Sequence, residues 1–181
     1  MSDAQVSMDE KTRRILFFDD VKEESCHLAV KHIFTLTEKD PKEPIDFIIN
    51  TFGGYLAPCF GLLDVMAHVR PKIRTVGLGM VASCGLLLLM AGEKGHRRVS
   101  SSAAILSHQF SSWSSGNYGE LMSSRDRTDW THERMIQHYL KHTKKSRKYI
   151  EKLLQKDTDT WLRPSQAVKH GLVDKVIRGN I

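Results

Sequence analysis

Between Arg14 and Leu78 the chain alternates three short apolar runs with two stretches of helical periodicity, and this alternation narrows the choice of fold most. The runs are Arg14–Phe18 (RILFF), Ile45–Ile49 (IDFII) and Ile73–Leu78. After the first, apolar residues fall at Cys26, Ala29, Val30, Ile33 and Phe34, the spacing of a helix with one buried face. After the second, Leu56, Phe60, Leu63 and Ala67 mark another helix, with Pro58 tolerated in its first turn and Pro71 closing it. Strand, helix, strand, helix, strand predicts α/β crossovers onto a mainly parallel sheet.

The rest of the chain continues the pattern less regularly. Ser83–Met90 is a short helix so apolar that it must be buried nearly all round, and Arg97–Ser100 and Ala103–Ser107 read as short strands. Ser111–Gly119 is a polar loop, and a long helix is expected from about Glu120 to Lys144. That helix is polar, with apolar residues clustered late, so it either projects into solvent or packs on a partner chain. Ser146 caps the next helix; Pro164–His170 and Val173–Ile177 form a last helix and strand. With no repeat and no linker, residues 1–181 are read as a single domain, with residues 1–11 as a short polar N-terminal arm.

Composition excludes several classes. The longest apolar run, Leu86–Met90, is far below the roughly 20 residues that span a bilayer, so no membrane role is expected. The N-terminus lacks the basic start and apolar stretch of a signal peptide. Cys26, Cys59 and Cys84 form no CxxC pair and are read as reduced thiols, which with the lack of a signal places the chain in the cytoplasm. Much of the net charge of +6 lies in Lys141–Lys148; without interleaved aromatics this is a solvated helix end, not a nucleic-acid stripe.

Four segments could carry chemistry. In Gly79–Gly85 (GMVASCG), Ser83 stands between a strand and a helix among small residues that permit a sharp turn. A helix N-terminus there would favour a developing oxyanion, although a serine in that place is more often a plain N-cap. Asn50–Gly54 (NTFGG) also follows a strand, and its glycines allow a close backbone approach, or simply a turn. Leu106–Gln109 (LSHQ) offers His108 as a general base at a strand end. In Asp157–Leu162 (DTDTWL), Asp157 or Asp159 could orient a histidine or cap the following helix. His138 and His142, four residues apart with no acidic third ligand, are read as solvent-exposed polar residues, and no metal is expected.

In type, order and spacing these segments resemble the proteolytic subunit of the Clp protease (the ClpP family) from about Arg14 to Ile177. The family's Asn-Ser-Pro-Gly-Gly resembles Asn50-Thr51-Phe52-Gly53-Gly54, and its Ala-Ser-Met-Gly resembles Ala82-Ser83-Cys84-Gly85. Its Ala-Gly-x-Lys-Gly-x-Arg turn is similar to Ala91, Gly92, Lys94, Gly95 and Arg97, and its His-Gln to His108-Gln109. Its Ala-Val-x-x-Gly-Leu-Val-Asp ending is similar to Ala167, Val168, Gly171, Leu172, Val173 and Asp174.

The resemblance implies a crotonase-like α/β spiral with a projecting handle, here about residues 109–145. It implies Ser83 as nucleophile, His108 as base and backbone N–H groups of Gly53 and Cys84 as oxyanion donors. The family's orienting aspartate stands two residues before an aromatic-Leu/Met pair, here Trp161-Leu162, which selects Asp159. It further implies a heptameric ring, single or stacked as a tetradecamer, acting on peptides or unfolded proteins. The partner would be an AAA+ Clp ATPase; the chain itself would need no cofactor, with ATP used only by that partner. The chain departs from the family at Phe52, in place of a proline, and at Thr158, in place of an arginine before the aspartate. Two other readings compete: a non-catalytic ring component that modulates or scaffolds a paralogue, and an acyl-CoA enzyme of the crotonase type.

Overall fold

A computed structural model of the protein describes residues 5–179. The elements run β1 (Val6–Asp9), β2 (Arg14–Phe17), α1 (Glu23–Lys39), β3 (Ile45–Thr51), α2 (Leu56–His68), β4 (Ile73–Ala82), α3 (Cys84–Met90) and β5 (Arg97–Ser100). They continue with β6 (Ala104–Ser107), α4 (Tyr118–Thr143), α5 (Arg147–Leu153), β7 (Thr160–Leu162), α6 (Pro164–His170) and β8 (Lys175–Ile177).

One sheet orders its strands β1-β2-β3-β4-β5-β8, and β6 and β7 branch from it through β4. Every pairing is parallel except β1–β2 and β6–β7. This is the mainly parallel α/β architecture of the crotonase-like fold, as the alternation of strands and helices requires. β4 is the longest strand and changes partner along its length: Thr75–Gly77 pairs with β5, and Met80–Ala82 pairs with β6. Gly79, at φ 56, makes the change possible, and Asn50 Oδ1 accepts the Met80 N–H at 3.0 Å beside it.

The core lies between the sheet and α1, α2 and α3. Helix α3 is buried at all seven positions, as its unbroken apolar sequence demands. In α1 the buried stripe is Ser25, Cys26, Ala29, Ile33 and Leu36, while Phe34 is 47% exposed. In α2 the buried face is Cys59, Phe60, Leu62, Leu63 and Met66, and Ala67 lies outside it. The polar N-terminal arm differs from its reading: Val6–Asp9 pairs antiparallel with β2, with Val6 buried, because an apolar residue at every second position suffices for an edge strand. Residues 1–4 of that arm lie outside the described residues.

Helix α4 opens with a capping box: Asn117 Oδ1 accepts the Glu120 N–H at 3.1 Å, and Glu120 Oε2 accepts the Asn117 N–H at 2.8 Å. Its first half stands away from the core, with Leu121, Met122 and Trp130 exposed; only Met135, Ile136, Tyr139 and Thr143 are buried. His138 and His142 differ from expectation. They are half-buried, with ring centroids 4.4 Å apart, and His138 Nε2 donates to Leu87 O at 2.9 Å. Burial pushes their pKa values down to about 3 and about 4 respectively, so both are neutral. Among the described residues no helix is long and apolar enough to cross a membrane.

The base of α4 is fixed by Arg97, whose side chain is fully buried. Its Nε and Nη2 donate to the two carboxylate oxygens of Asp174 at 3.0 and 2.7 Å. The remaining donors reach His142 O and Gly171 O, at the ends of α4 and α6. Partial burial opposes ionisation of Asp174, but hydrogen bonds from the Arg97 side chain and backbone outweigh it and hold that carboxyl far below the usual range. Arg97→Ala leaves Asp174 without its counter-charge and is expected to cost about 3–5 kcal/mol in urea unfolding. Because the folded pKa is depressed, the contribution of Asp174 is present above the unfolded value of about 4 and is lost as pH falls below it. Unfolding midpoints measured from pH 6 down to 3 should therefore fall in the wild type and fall less in Asp174→Asn.

Candidate active site

The turn from β4 into α3 builds the centre of the site. Ser83 occupies the N-cap position at φ 55 and ψ −120, a conformation that an L-residue holds only when its surroundings impose it. Its N–H donates to Leu106 O at 3.0 Å, and its carbonyl accepts the N–H groups of Leu86 and Leu87. Strand β6 on one side and helix α3 on the other thus pin the turn. Gly53 stands against it: a Cβ there would lie 2.6 Å from Ser83 Cβ and 2.9 Å from Ala82 O. Gly53 has φ 102 as well, so both backbone angle and space require glycine.

The Ser83 hydroxyl makes no capping bond. It lies instead 2.8 Å from His108 Nε2, brought there because β6 pairs with the end of β4 and His108 follows β6 directly. The tautomer with its proton on Nδ1 leaves Nε2 to accept the Ser83 O–H. The β6–β7 ladder pairs Ser107 with Thr160, and one further step of that antiparallel register sets Asp159 opposite His108. Asp159 Oδ1 is 3.6 Å from His108 Nδ1, and the Asp159 side chain is 55% exposed. Neither Asp157 nor Asp159 caps α6, whose N-cap is Arg163.

The Clp protease family model matches residues 2–180. The chain belongs to the Clp protease family.

In this member of the Clp protease family the two expected oxyanion donors differ in state. Cys84 is the first residue of α3, so its N–H has no carbonyl within the helix to bond and stands beside the Ser83 hydroxyl. The Gly53 N–H donates to Thr51 Oγ1 at 3.0 Å and is therefore occupied, although Gly53 itself abuts Ser83 and Cys84. A cavity of about 510 Å³ opens over Ser83 and His108, walled by Phe52, Leu56, Leu87, Phe110 and Met135. Phe52 and Tyr55 stand at it largely exposed. A larger cavity of about 790 Å³, between α2 and the base of α4, contains neither Ser83 nor His108.

The three cysteines are free and buried. Cys84 Sγ donates to Gly54 O at 3.3 Å, and Cys59 Sγ donates to Cys84 O at 3.7 Å. Burial pushes the Cys26 thiol up to about 11. Among the described residues no group of three or more His, Cys, Asp or Glu side chains could hold a metal ion. Sequence reasoning missed Ser107, Tyr139 and Gln155, which form a buried polar cluster behind His108. Tyr139 fell on the helix's apolar stripe, and nothing near Gln155 signalled burial.

Two glycine substitutions test this packing. Gly53→Ala should lower stability by more than the roughly 1–3 kcal/mol of a forced backbone angle, because the new methyl also meets Ser83. Gly61→Ala in α2, where an added Cβ would have no neighbouring side chain or other element within 4 Å, should raise it by about 0.5–1 kcal/mol. Urea unfolding of both variants measures the difference.

Proposed function

We propose that the chain is a serine endopeptidase subunit that cleaves peptides and unfolded polypeptides through Ser83, His108 and Asp159. The observation that carries this reading is the 2.8 Å contact between Ser83 Oγ and His108 Nε2, made by a serine held in a strained turn at a helix N-terminus. Ser83 attacks the scissile carbonyl while His108 takes its proton, and His108 later gives that proton to the leaving amine. Asp159 keeps the Nδ1 proton directed toward itself, which reserves Nε2 for the serine. The Cys84 N–H receives the oxyanion, and Gly53 joins it by exchanging Thr51 Oγ1 for that oxygen. Water then releases the acyl group by the same exchange in reverse.

The cavity's apolar walls accept apolar side chains of the substrate without a charged group to select among them. The reading includes self-association into a heptameric ring, single or stacked as a tetradecamer, with the sites facing an inner chamber. It is supported by family membership and by the exposed Leu121, Met122 and Trp130 of the handle helix. Unfolded chains would be supplied by an AAA+ Clp ATPase in the cytoplasm, and the peptidase itself needs no cofactor. A non-catalytic ring component is the second reading, favoured by the 3.6 Å separation of Asp159 from His108 and by the engaged Gly53 N–H.

Cleavage of a short fluorogenic peptide, with fluorophosphonate labelling of Ser83, separates the two. Wild-type protein should cleave and be labelled, and Ser83→Ala should do neither. Asp159→Asn should stay folded and lose up to about 10⁴ in kcat. Wild-type protein that is assembled yet neither cleaves nor is labelled would sink the peptidase reading in favour of the scaffold.

A further inference from the structure

We propose that Gln155, with Tyr139 and Ser107, is the positioning cluster that sets Asp159 against His108; this rests on the serine peptidase reading of the site. The three residues come from separate elements: β6, α4 and the segment between α5 and β7. All three are at most 1% exposed. Ser107 donates its one proton to Leu154 O. Tyr139 therefore donates to Ser107 Oγ at 2.7 Å, and the Gln155 amide donates to Tyr139 Oη at 3.0 Å and to Ser107 Oγ at 3.2 Å. The directions of these bonds are thus fixed by proton count.

A core filler in this place would be apolar, because polar groups gain nothing in a core unless every one is paired. Here Gln155 Oε1 and Thr160 Oγ1 are buried with no partner among the described residues, so the cluster is retained at a cost. Its location explains what that cost secures. Ser107 precedes His108, and Gln109, which follows His108, donates through Nε2 to Gln155 O at 2.7 Å. His108 is thus flanked on both sides by residues tied to Leu154 and Gln155. The same segment reaches Asp159 four residues later. Asp159 lies one residue before the β6–β7 ladder begins, and its carboxylate is largely in solvent. Its position relative to His108 is therefore set by how the segment from Gln155 to Thr160 is held at its two ends, by the ladder at Thr160 and by the cluster at Gln155.

The test uses the full chain in its assembled state. Tyr139→Phe keeps the ring and removes the hydroxyl with its bonds to Ser107 and from Gln155; Gln155→Met keeps the volume and removes the amide. Each is expected to lower kcat for a fluorogenic peptide about tenfold with KM changed less than about twofold. In an Asp159→Asn background, where the carboxylate is already gone, neither should slow fluorophosphonate labelling of Ser83 further. Gln109→Ala, on the exposed side, cuts only the tether to Gln155 O; it keeps the proposal testable if the buried variants fail to fold, and should give the same pattern at about threefold. Equal losses in the two backgrounds, or an unchanged kcat, would overturn the proposal while leaving the serine peptidase reading intact. A wild type that neither cleaves nor labels would overturn both.

Discussion

The buried guanidinium of Arg97 is the interaction on which the assembly of the rest depends. A charge without solvent is tolerated only when its donors are met, and Arg97 meets them with one carboxylate and two helix-terminal carbonyls. Those partners belong to parts of the chain that the strand–helix alternation does not order: the end of α4, the end of α6 and the approach to β8. Asp174 closes the knot from the other side, accepting the N–H groups of Gly95 and Arg97. Strand β5, the handle base and the C-terminal elements are therefore located together. The position of α4 in turn decides where Tyr139 and Met135 meet the cavity.

Strand β4 then converts this frame into a site. Because it pairs first with β5 and then with β6, it ends beside a strand other than the one that flanks its start. The backbone that leaves it at Ser83 is held by Leu106 O before it and by the first turn of α3 after it. The strained angle at Ser83 survives because both neighbours are rigid, and the hydroxyl points at His108 instead of back at its own helix. Gly53 and Gly85 complete the geometry by absence: a Cβ on Gly85 would lie 2.5 Å from Thr51 Cγ2.

Most of this was legible in the sequence, for identifiable reasons. Apolar periodicity located β2, α1, β3, α2, β4 and α3, because each has one buried face or is buried throughout. Small residues around Ser83 and the Gly53-Gly54 pair marked the two tight approaches. The failures share a cause, which is that burial was decided by neighbours distant in sequence. Phe34 lies on the helical stripe yet is exposed, because the buried face of α1 runs through Ala29, Ile33 and Leu36. His138 looked like a surface residue, but the base of α4 folds its ring onto Leu87 O. β1 was missed because four alternating residues carry too little signal without knowledge that β2 offers an edge.

The three residues of the proposed triad are held by unequal means. Ser83 is fixed by backbone bonds on both sides and by a steric wall at Gly53. His108 is fixed by the strand it ends and by the neighbours that anchor Ser107 and Gln109. Asp159 has neither; it is more than half exposed, and its reach is limited on one side by the β6–β7 ladder that begins at Thr160 and on the other by its tether to the Ser107–Tyr139–Gln155 cluster. A carboxylate so open to water gains little from a contact at 3.6 Å, so its distance from His108 is set by the backbone that carries it. On the proposed reading, control over the Asp159 carboxylate resides in the packing at the base of α4, a long helix whose outer half makes no contribution to the core.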